Sequence, residues 1–139
     1  MVILDNSTTS MTGFQPNPGS GTTAMGEVSS KIRPEEIALA CGIEFVEVVD
    51  PFDTEKAIDT LERAMRFDGP SFVVLKRTCA VLEQKEKKNR AGEVLPYYVD
   101  REKCCECKAC INMLGCPAFV LEEEQVTIDG LKCSGCGVC

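Results

Sequence analysis

The chain has 139 residues, a formal net charge of −7, ten cysteines and no histidine. The net negative charge is not typical of nucleic-acid binding, and no apolar run is long enough to span a membrane. We therefore expect neither nucleic acid nor a membrane as a partner. The missing histidine removes the commonest proton shuttle. No charged-then-apolar leader precedes the cysteines, which favours a reducing, cytoplasmic location over a disulfide framework.

The first stretch, Met1–Leu4, is apolar and β-branched, which predicts a buried parallel strand. D-N-S-T-T follows over residues 5–9, and ligands of open α/β sheets bind beyond the carboxyl ends of strands. This stretch is a candidate site, although its local pattern alone favours an ordinary turn. Residues 14–33 predict a surface loop that can order over a ligand, because their P-G-S-G-T-T lacks the G-K-[ST] of a phosphate loop.

The next part of the chain has regular periods. Pro34 favours a helix start and Gly42 its end, and Phe45–Val49 predicts a strand. Asp53 can cap a second helix, before a strand at Ser71–Leu75. The apolar positions of this second helix follow a 3.6-residue period: Ala57, Ile58, Leu61, Ala64 and Met65. The alternation of strands and helices predicts an α/β fold with a parallel sheet.

A change of composition follows. Residues 83–95 are densely charged without an apolar period, which predicts a linker, with a solvated helix as the alternative. Residues 97–100 predict a short strand. Phe119–Leu121 and Gln125–Ile128, on either side of an acidic turn, predict a hairpin.

Eight of the ten cysteines lie between residues 104 and 139, in two C-x2-C-x2-C runs and a Cys-Pro step. The first run is Cys104, Cys107 and Cys110, the second is Cys133, Cys136 and Cys139, and the step is Cys116-Pro117. Three thiolates on one turn can bind three corners of a cubane cluster, and in two-cluster ferredoxins the Cys-Pro cysteine of the other run is the fourth ligand. Cys116 therefore completes the second run. The fourth ligand of the first run is expected a few residues beyond Cys139.

The main alternative for the cysteines is a zinc-stabilised interaction domain. A zinc knuckle uses two cysteines and gains nothing from a third, so the spacing favours [4Fe–4S] clusters. Cys105 falls outside the period and is predicted to be a bystander. If the first run has only three thiolates, we expect its cluster to be labile and to degrade towards a three-iron form.

The sequence V-I-L-D-N-S-T-T-S-M-T-G-x-Q-P over residues 2–16, the α/β pattern and the double cysteine run together resemble one family. They are similar to the C-terminal part of the alpha subunit of indolepyruvate ferredoxin oxidoreductase, within the thiamine-diphosphate-dependent 2-oxoacid:ferredoxin oxidoreductases. One departure is the five-residue gap between Cys110 and Cys116, where the bacterial ferredoxin spacing has three. The resemblance covers essentially the whole chain.

The resemblance implies a fold, a cofactor set and a domain order. Residues 1–82 would be the C-terminal part of a parallel-sheet thiamine-diphosphate-binding domain, with 83–95 a linker. Residues 96–139 would form a small α+β ferredoxin-like dicluster domain. The side-chain oxygen of Asn6 and the main-chain carbonyl of Thr8 would ligate the Mg2+ that holds the diphosphate, since Mg2+ prefers oxygen ligands.

The resemblance also implies an activity, oxidative decarboxylation of aryl pyruvates such as indolepyruvate to aryl-acetyl-CoA, with reduction of ferredoxin. The implied partners are an external ferredoxin, a smaller beta subunit, coenzyme A and a 2-oxoacid. No catalytic residue is expected in this segment, and we expect the segment alone to be inactive. The alternative is a non-enzymatic electron-transfer module in which residues 1–82 serve as a scaffold.

Overall fold

A computed structural model describes residues 1–92 and 95–139, which divide into two units, Met1–Cys79 and Ala80–Cys139. The first unit contains β1 (Val2–Asp5), α1 (Pro34–Ala40), β2 (Phe45–Val49), α2 (Thr54–Arg66) and β3 (Ser71–Lys76). The second contains α3 (Ala80–Ala91), α4 (Ala109–Leu114), β4 (Phe119–Glu122) and β5 (Gln125–Ile128). No helix of the described ranges is long and apolar enough to cross a membrane.

The first unit is built on a three-stranded parallel sheet in the order β1-β3-β2. Its register pairs Val2 with Val73 and Phe45 with Ser71. The predicted strands and helices of this part are confirmed, and so is the mixed α/β class with a parallel sheet. Because all three strands run the same way, their carboxyl ends lie at one edge of the sheet, where α/β proteins bind ligands.

Alternate side chains of β3 pack into two apolar clusters on opposite faces of the sheet. Val73 belongs to one cluster, together with Val49, Ala57 and Ala64. Phe72 and Val74 belong to the other, together with Ala38. Val73 is 1% exposed and Val74 is fully buried. The central strand is therefore covered on both faces, by α2 on one and α1 on the other.

One prediction about burial in the first unit is wrong. The strand expected to be buried, β1, has an exposed Leu4 (79%), because β1 lies at the edge of the described sheet and pairs with β3 alone. On α2, Ile58 and Met65 are exposed, whereas Thr60 is fully buried. A buried threonine is tolerated at this position because the Thr60 hydroxyl donates to Glu47 Oε2 at 3.4 Å, so the buried hydroxyl has a hydrogen-bond partner.

The second unit has a small hairpin, in which β4 and β5 pair antiparallel as predicted. Residues 97–100 form no strand, which corrects that prediction. Most of the segment predicted as a linker, 83–95, lies in α3, the solvated helix that the sequence left as the alternative. Residues 93 and 94 lie outside the described residues. The ferredoxin-like dicluster fold and the domain limits stay predictions.

Candidate functional site

The D-N-S-T turn begins where β1 ends. The N–H of Ser7 donates to Asp5 Oδ1 at 2.8 Å, and the N–H of Thr8 donates to Asn6 Oδ1 at 3.2 Å. Ser7 has a left-handed φ of 62°, so the chain reverses sharply at this point. Short polar side chains stabilise such turns by bonding to the backbone two residues on. The turn therefore follows directly from the residue types.

The end of β3 fixes this turn in place. Arg77 N–H donates to the main-chain oxygen of Asp5, and Cys79 N–H donates to that of Asn6, each at 3.0 Å. The ammonium of Lys76 lies 3.4 Å from Asp5 Oδ2. These bonds continue the parallel pairing beyond the strands, so Asn6 is held at the carboxyl edge of the sheet.

A cavity of about 260 Å³ opens at this edge. It is lined by residues from β1, the turn, the long loop and the start of α1: Ile3, Leu4, Asp5, Asn6, Thr8, Asn17, Pro18, Gly19, Ile32 and Pro34. The loop predicted over residues 14–33 is irregular, and Ile32 N–H donates to the oxygen of Pro18 at 3.0 Å, which closes it. The loop thus lies against the candidate site, as expected of a segment that covers a ligand.

The oxygen donors at this cavity suit a hard cation such as Mg2+. Asn6 is exposed and its side-chain oxygen accepts one hydrogen bond, so a second lone pair is open to a ligand. Thr8 is 8% exposed, and its hydroxyl donates to the oxygen of Gln15 at 3.3 Å. That bond fixes the Thr8 backbone, whose carbonyl is the predicted second ligand. Asn6 and Thr8 are thus compatible with the predicted role as Mg2+ ligands, which stays a prediction.

A second cavity, of about 250 Å³, lies among the cysteines of the second unit. Its lining includes Cys116, Cys133, Cys136 and Cys139, together with Tyr97, Pro117 and Phe119. Three of these cysteines come from the second run and one from the Cys-Pro step. The structure therefore brings together the four residues that the sequence assigns to one cluster.

Electrostatics show the same grouping. Burial raises the pKa of the Cys139 thiol, and the neighbouring thiols of Cys136, Cys133 and Cys116 raise it further, against an opposing hydrogen bond from its own backbone. A thiol whose pKa is raised by neighbouring thiols lies close enough to them for thiolates to repel. A positively charged metal centre among them would reverse this effect, because coordination favours the thiolate.

The spacing of the side chains bears on the kind of metal centre. Among residues 1–92 and 95–139, no three His, Cys, Asp or Glu side chains converge closely enough to hold a single ion. A zinc site needs its sulfurs about 2.3 Å from one atom. A cubane places each thiolate on a different iron, so its ligands stand farther apart. The preference for a cluster over zinc therefore rests on the cysteine spacing and stays a prediction.

The first run is arranged differently. Cys107 has a lowered pKa, mainly because the N–H of Ala109 donates to its sulfur and secondly because of a hydrogen bond with Cys105. Lys108 precedes α4 with a left-handed φ of 58°, which turns the chain into the helix. Cys104, Cys107 and Cys110 do not line the cavity of the second run. The contact between Cys105 and Cys107 was not foreseen.

Sequence reasoning missed two residues of these sites. Asn17 lines the first cavity, and its Oδ1 accepts from Gly19 N–H at 2.9 Å. The N-P-G sequence could have indicated this turn. Tyr97 lines the second cavity through a contact with distant Cys133, for which the local sequence carries no signal.

Comparisons with known proteins bear first on the N-terminal part of the chain. Residues 1–75 match the family described as thiamine pyrophosphate enzyme, C-terminal TPP binding domain. Over its whole length the chain is 45% identical to indolepyruvate oxidoreductase subunit IorA of Archaeoglobus fulgidus and 42% identical to that of Pyrococcus horikoshii, and it spans 22% of each relative.

A third relative matches a shorter part of the chain. Over 55 residues, 38% of this chain and 64% of the relative, the identity to pyruvate synthase subunit PorD of Methanothermobacter marburgensis is 36%. No solved structure matches the chain. On the match over residues 1–75, the chain belongs to the thiamine pyrophosphate enzymes that share this C-terminal TPP-binding domain.

Proposed function

We propose that the chain is part of the alpha subunit of an indolepyruvate ferredoxin oxidoreductase. The reaction is the oxidative decarboxylation of an aryl pyruvate to an aryl-acetyl-CoA, with reduction of ferredoxin. One observation carries the proposal: a TPP-enzyme domain and a cavity lined by four cysteines occur in the same chain. The identity over the whole length of this chain to relatives named indolepyruvate oxidoreductase supports the substrate class.

In this proposal the first cavity seats the diphosphate end of thiamine diphosphate. The Asn6 side-chain oxygen and the Thr8 carbonyl hold Mg2+, which is bound through oxygen ligands and phosphates. The bonds from Arg77 and Cys79 to the turn hold these oxygens in place before the cofactor binds. When bound, thiamine diphosphate supplies the electron sink for decarboxylation.

The second cavity holds a [4Fe–4S] cluster on Cys116, Cys133, Cys136 and Cys139. Pro117 and Phe119 provide apolar parts of the cavity wall, and an apolar surround helps set the potential of a cluster. When bound, the cluster supplies a one-electron acceptor between the substrate and ferredoxin.

The first run binds a second [4Fe–4S] cluster through Cys104, Cys107 and Cys110. The hydrogen bond from Ala109 N–H lowers the pKa of Cys107, and so favours the thiolate that iron requires. With the hairpin of β4 and β5, residues 96–139 then form a ferredoxin-like dicluster domain after the thiamine-diphosphate domain of residues 1–82. The identity to pyruvate synthase subunit PorD supports an electron-transfer role.

The partners follow from the chemistry. An external ferredoxin takes up the electrons, coenzyme A accepts the acyl group, and a smaller beta subunit completes the oxidoreductase. The acidic surface, with a net charge of −7, supports the absence of nucleic acid from this set.

The test is ferredoxin reduction by the complete alpha subunit with its beta subunit, under anaerobic conditions. We expect reduction to require thiamine diphosphate, Mg2+, coenzyme A and indolepyruvate, with pyruvate a poorer substrate. Equal rates with pyruvate would reassign the substrate within the same reaction. Reduction that does not depend on thiamine diphosphate would contradict the proposal and favour a simple electron-transfer module.

A further inference from the structure

The segment before the first cysteine run lies against the second run. A Cβ added at Gly130 would meet the Pro96 ring at 3.5 Å. The main-chain N–H of Tyr97 donates to Cys133 Sγ at 3.4 Å. A Cβ added at Gly137 would lie 3.2 Å from the Tyr97 hydroxyl oxygen. One hydrogen bond and two close approaches therefore place Pro96 and Tyr97 beside the second run and the residues just before it.

Tyr97 forms a half-exposed part of the wall of this cavity. Tyr97 lines the same cavity as Cys116, Cys133, Cys136 and Cys139, and it is 50% exposed. We expect a half-exposed ring in the cavity wall to limit the access of water to the cysteines. Its N–H and its side chain thus act on the cavity in two different ways, one through a ligand sulfur and one through water access.

We infer that Tyr97 is a positioning residue that sets the reduction potential and the air stability of the cluster in this cavity. The inference rests on the proposed cluster at the four cysteines. Reduction of [4Fe–4S]2+ to [4Fe–4S]1+ adds one electron, so it makes the cluster and its thiolates more negative. An N–H directed at Cys133 sulfur stabilises the reduced form and raises the potential, since hydrogen bonds to cluster sulfurs tune it.

The two contributions have opposite signs when they are lost. Loss of the N–H removes a donor from Cys133 and lowers the potential. Loss of the ring admits water, which stabilises the more negative reduced cluster and raises the potential. Water access also exposes the cluster to dissolved oxygen. A residue that served only as structural support would not produce this pair of opposite shifts.

The experiment uses the full chain, reconstituted anaerobically with iron and sulfide. The changes Cys104→Ala and Cys107→Ala disable the first run, so that a single centre is observed. Tyr97→Pro and Tyr97→Ala are the matched pair, because both lack the ring and only proline lacks the N–H. We expect a lower potential in Tyr97→Pro than in Tyr97→Ala, by a titration against redox dyes followed by EPR. Both should lose their visible absorbance in air faster than the parent.

A control and a second pair keep the test decisive if Tyr97→Pro does not assemble. Tyr97→Phe keeps the N–H and the ring, so it should keep the parent potential and air stability. Gly137→Ala places a methyl group against the Tyr97 hydroxyl, at a position whose φ is +75°. We expect it to shift the potential and to speed loss of the cluster, and we expect added Tyr97→Phe to reverse part of both effects.

The outcomes separate this inference from the proposed function. A parent protein that takes up no iron and sulfide would overturn the cluster itself, and with it the role of Tyr97. A parent with a normal cluster, but with equal potentials in Tyr97→Pro and Tyr97→Ala, would overturn the role of the N–H alone. If Tyr97→Pro does not assemble, the second pair decides. A potential and an air stability of Gly137→Ala that added Tyr97→Phe does not partly restore would overturn the role of Tyr97.

Discussion

Cys116 and Cys139 line one cavity, although β4 and β5 lie between them in the chain. The hairpin reverses the chain direction, because Phe119 pairs with Ile128 at its open end. It therefore returns the second cysteine run to the Cys-Pro step. This relationship is the one that the crosswise sharing of ligands requires.

The first prediction concerns that sharing. Cys116→Ala should remove one ligand from the cluster of the second run and leave the centre of the first run intact. Iron and sulfide analysis with EPR should show the loss of one of two signals. Cys105→Ala is the control and should keep both, since Cys105 falls outside the cysteine period and does not line the cavity. Loss of the first-run signal in Cys116→Ala would show that the ligands are shared in another way.

The second prediction concerns the turn after β1. In the complete alpha subunit, Asn6→Ala should weaken thiamine-diphosphate and Mg2+ binding at least about tenfold, as loss of an oxygen ligand or its partners commonly does. Both clusters should remain. Calorimetry measures the affinity. Met11→Ala is the control in the same turn, because Met11 is 97% exposed and does not line the cavity. Unchanged affinity in Asn6→Ala would return the turn to a purely structural role.

Much of this arrangement could be predicted from local pattern. The three parallel strands, the helix capped by Asp53 and the hairpin follow from period and turn chemistry, since each is decided within a few residues. Burial was less predictable. Leu4 is apolar yet exposed because β1 is an edge strand, and Thr60 is polar yet buried because Glu47 accepts its hydroxyl hydrogen bond.

The sites were predictable to different degrees. The cysteine spacing predicts its ligands, because one cluster chemistry would account for all seven positions. Asn6 could be predicted as a ligand only from its position at the end of a strand together with its residue type. Residues 97–100 have strand-like composition, but Tyr97 is held by a contact with Cys133 instead of by a partner strand. Such long-range contacts have no local signature.

The third prediction concerns acid stability of the first unit. Hydrogen bonding with Arg63 is the largest cause that lowers the pKa of Glu47, and burial opposes it. A carboxyl whose pKa falls on folding stabilises the protein above its unfolded pKa of about 4.3, and this contribution is lost as the pH falls through the lower folded pKa. The folded protein should therefore be more stable than Glu47→Gln at pH 7.

Urea denaturation followed by circular dichroism, at pH 7 and at pH 3, measures this effect. The difference in free energy of unfolding between the protein and Glu47→Gln should shrink towards pH 3. Glu44→Gln is the comparison for general charge effects. A difference that stays constant over this range would show that the Glu47–Arg63 pair does not contribute through its charge.

The fourth prediction concerns the sheet that positions the turn. Val74 is fully buried at the centre of β3, so Val74→Ala should destabilise the first unit by about 2 kcal/mol, through lost burial and the cavity left behind. Leu4→Ala, at a side chain 79% exposed, should change stability by less than about 0.5 kcal/mol. Urea denaturation compares the two. Equal losses of stability in the two variants would mean that Val74 is not more deeply buried than Leu4, against the packing described.

The most direct test of the central claim is analysis of iron, acid-labile sulfide and zinc in the full chain. The protein should be purified without air from iron-replete cells. The account predicts a brown protein with iron and sulfide in equal amounts, whose visible absorbance falls on reduction. Stoichiometric zinc without sulfide, in a colourless protein, would contradict it.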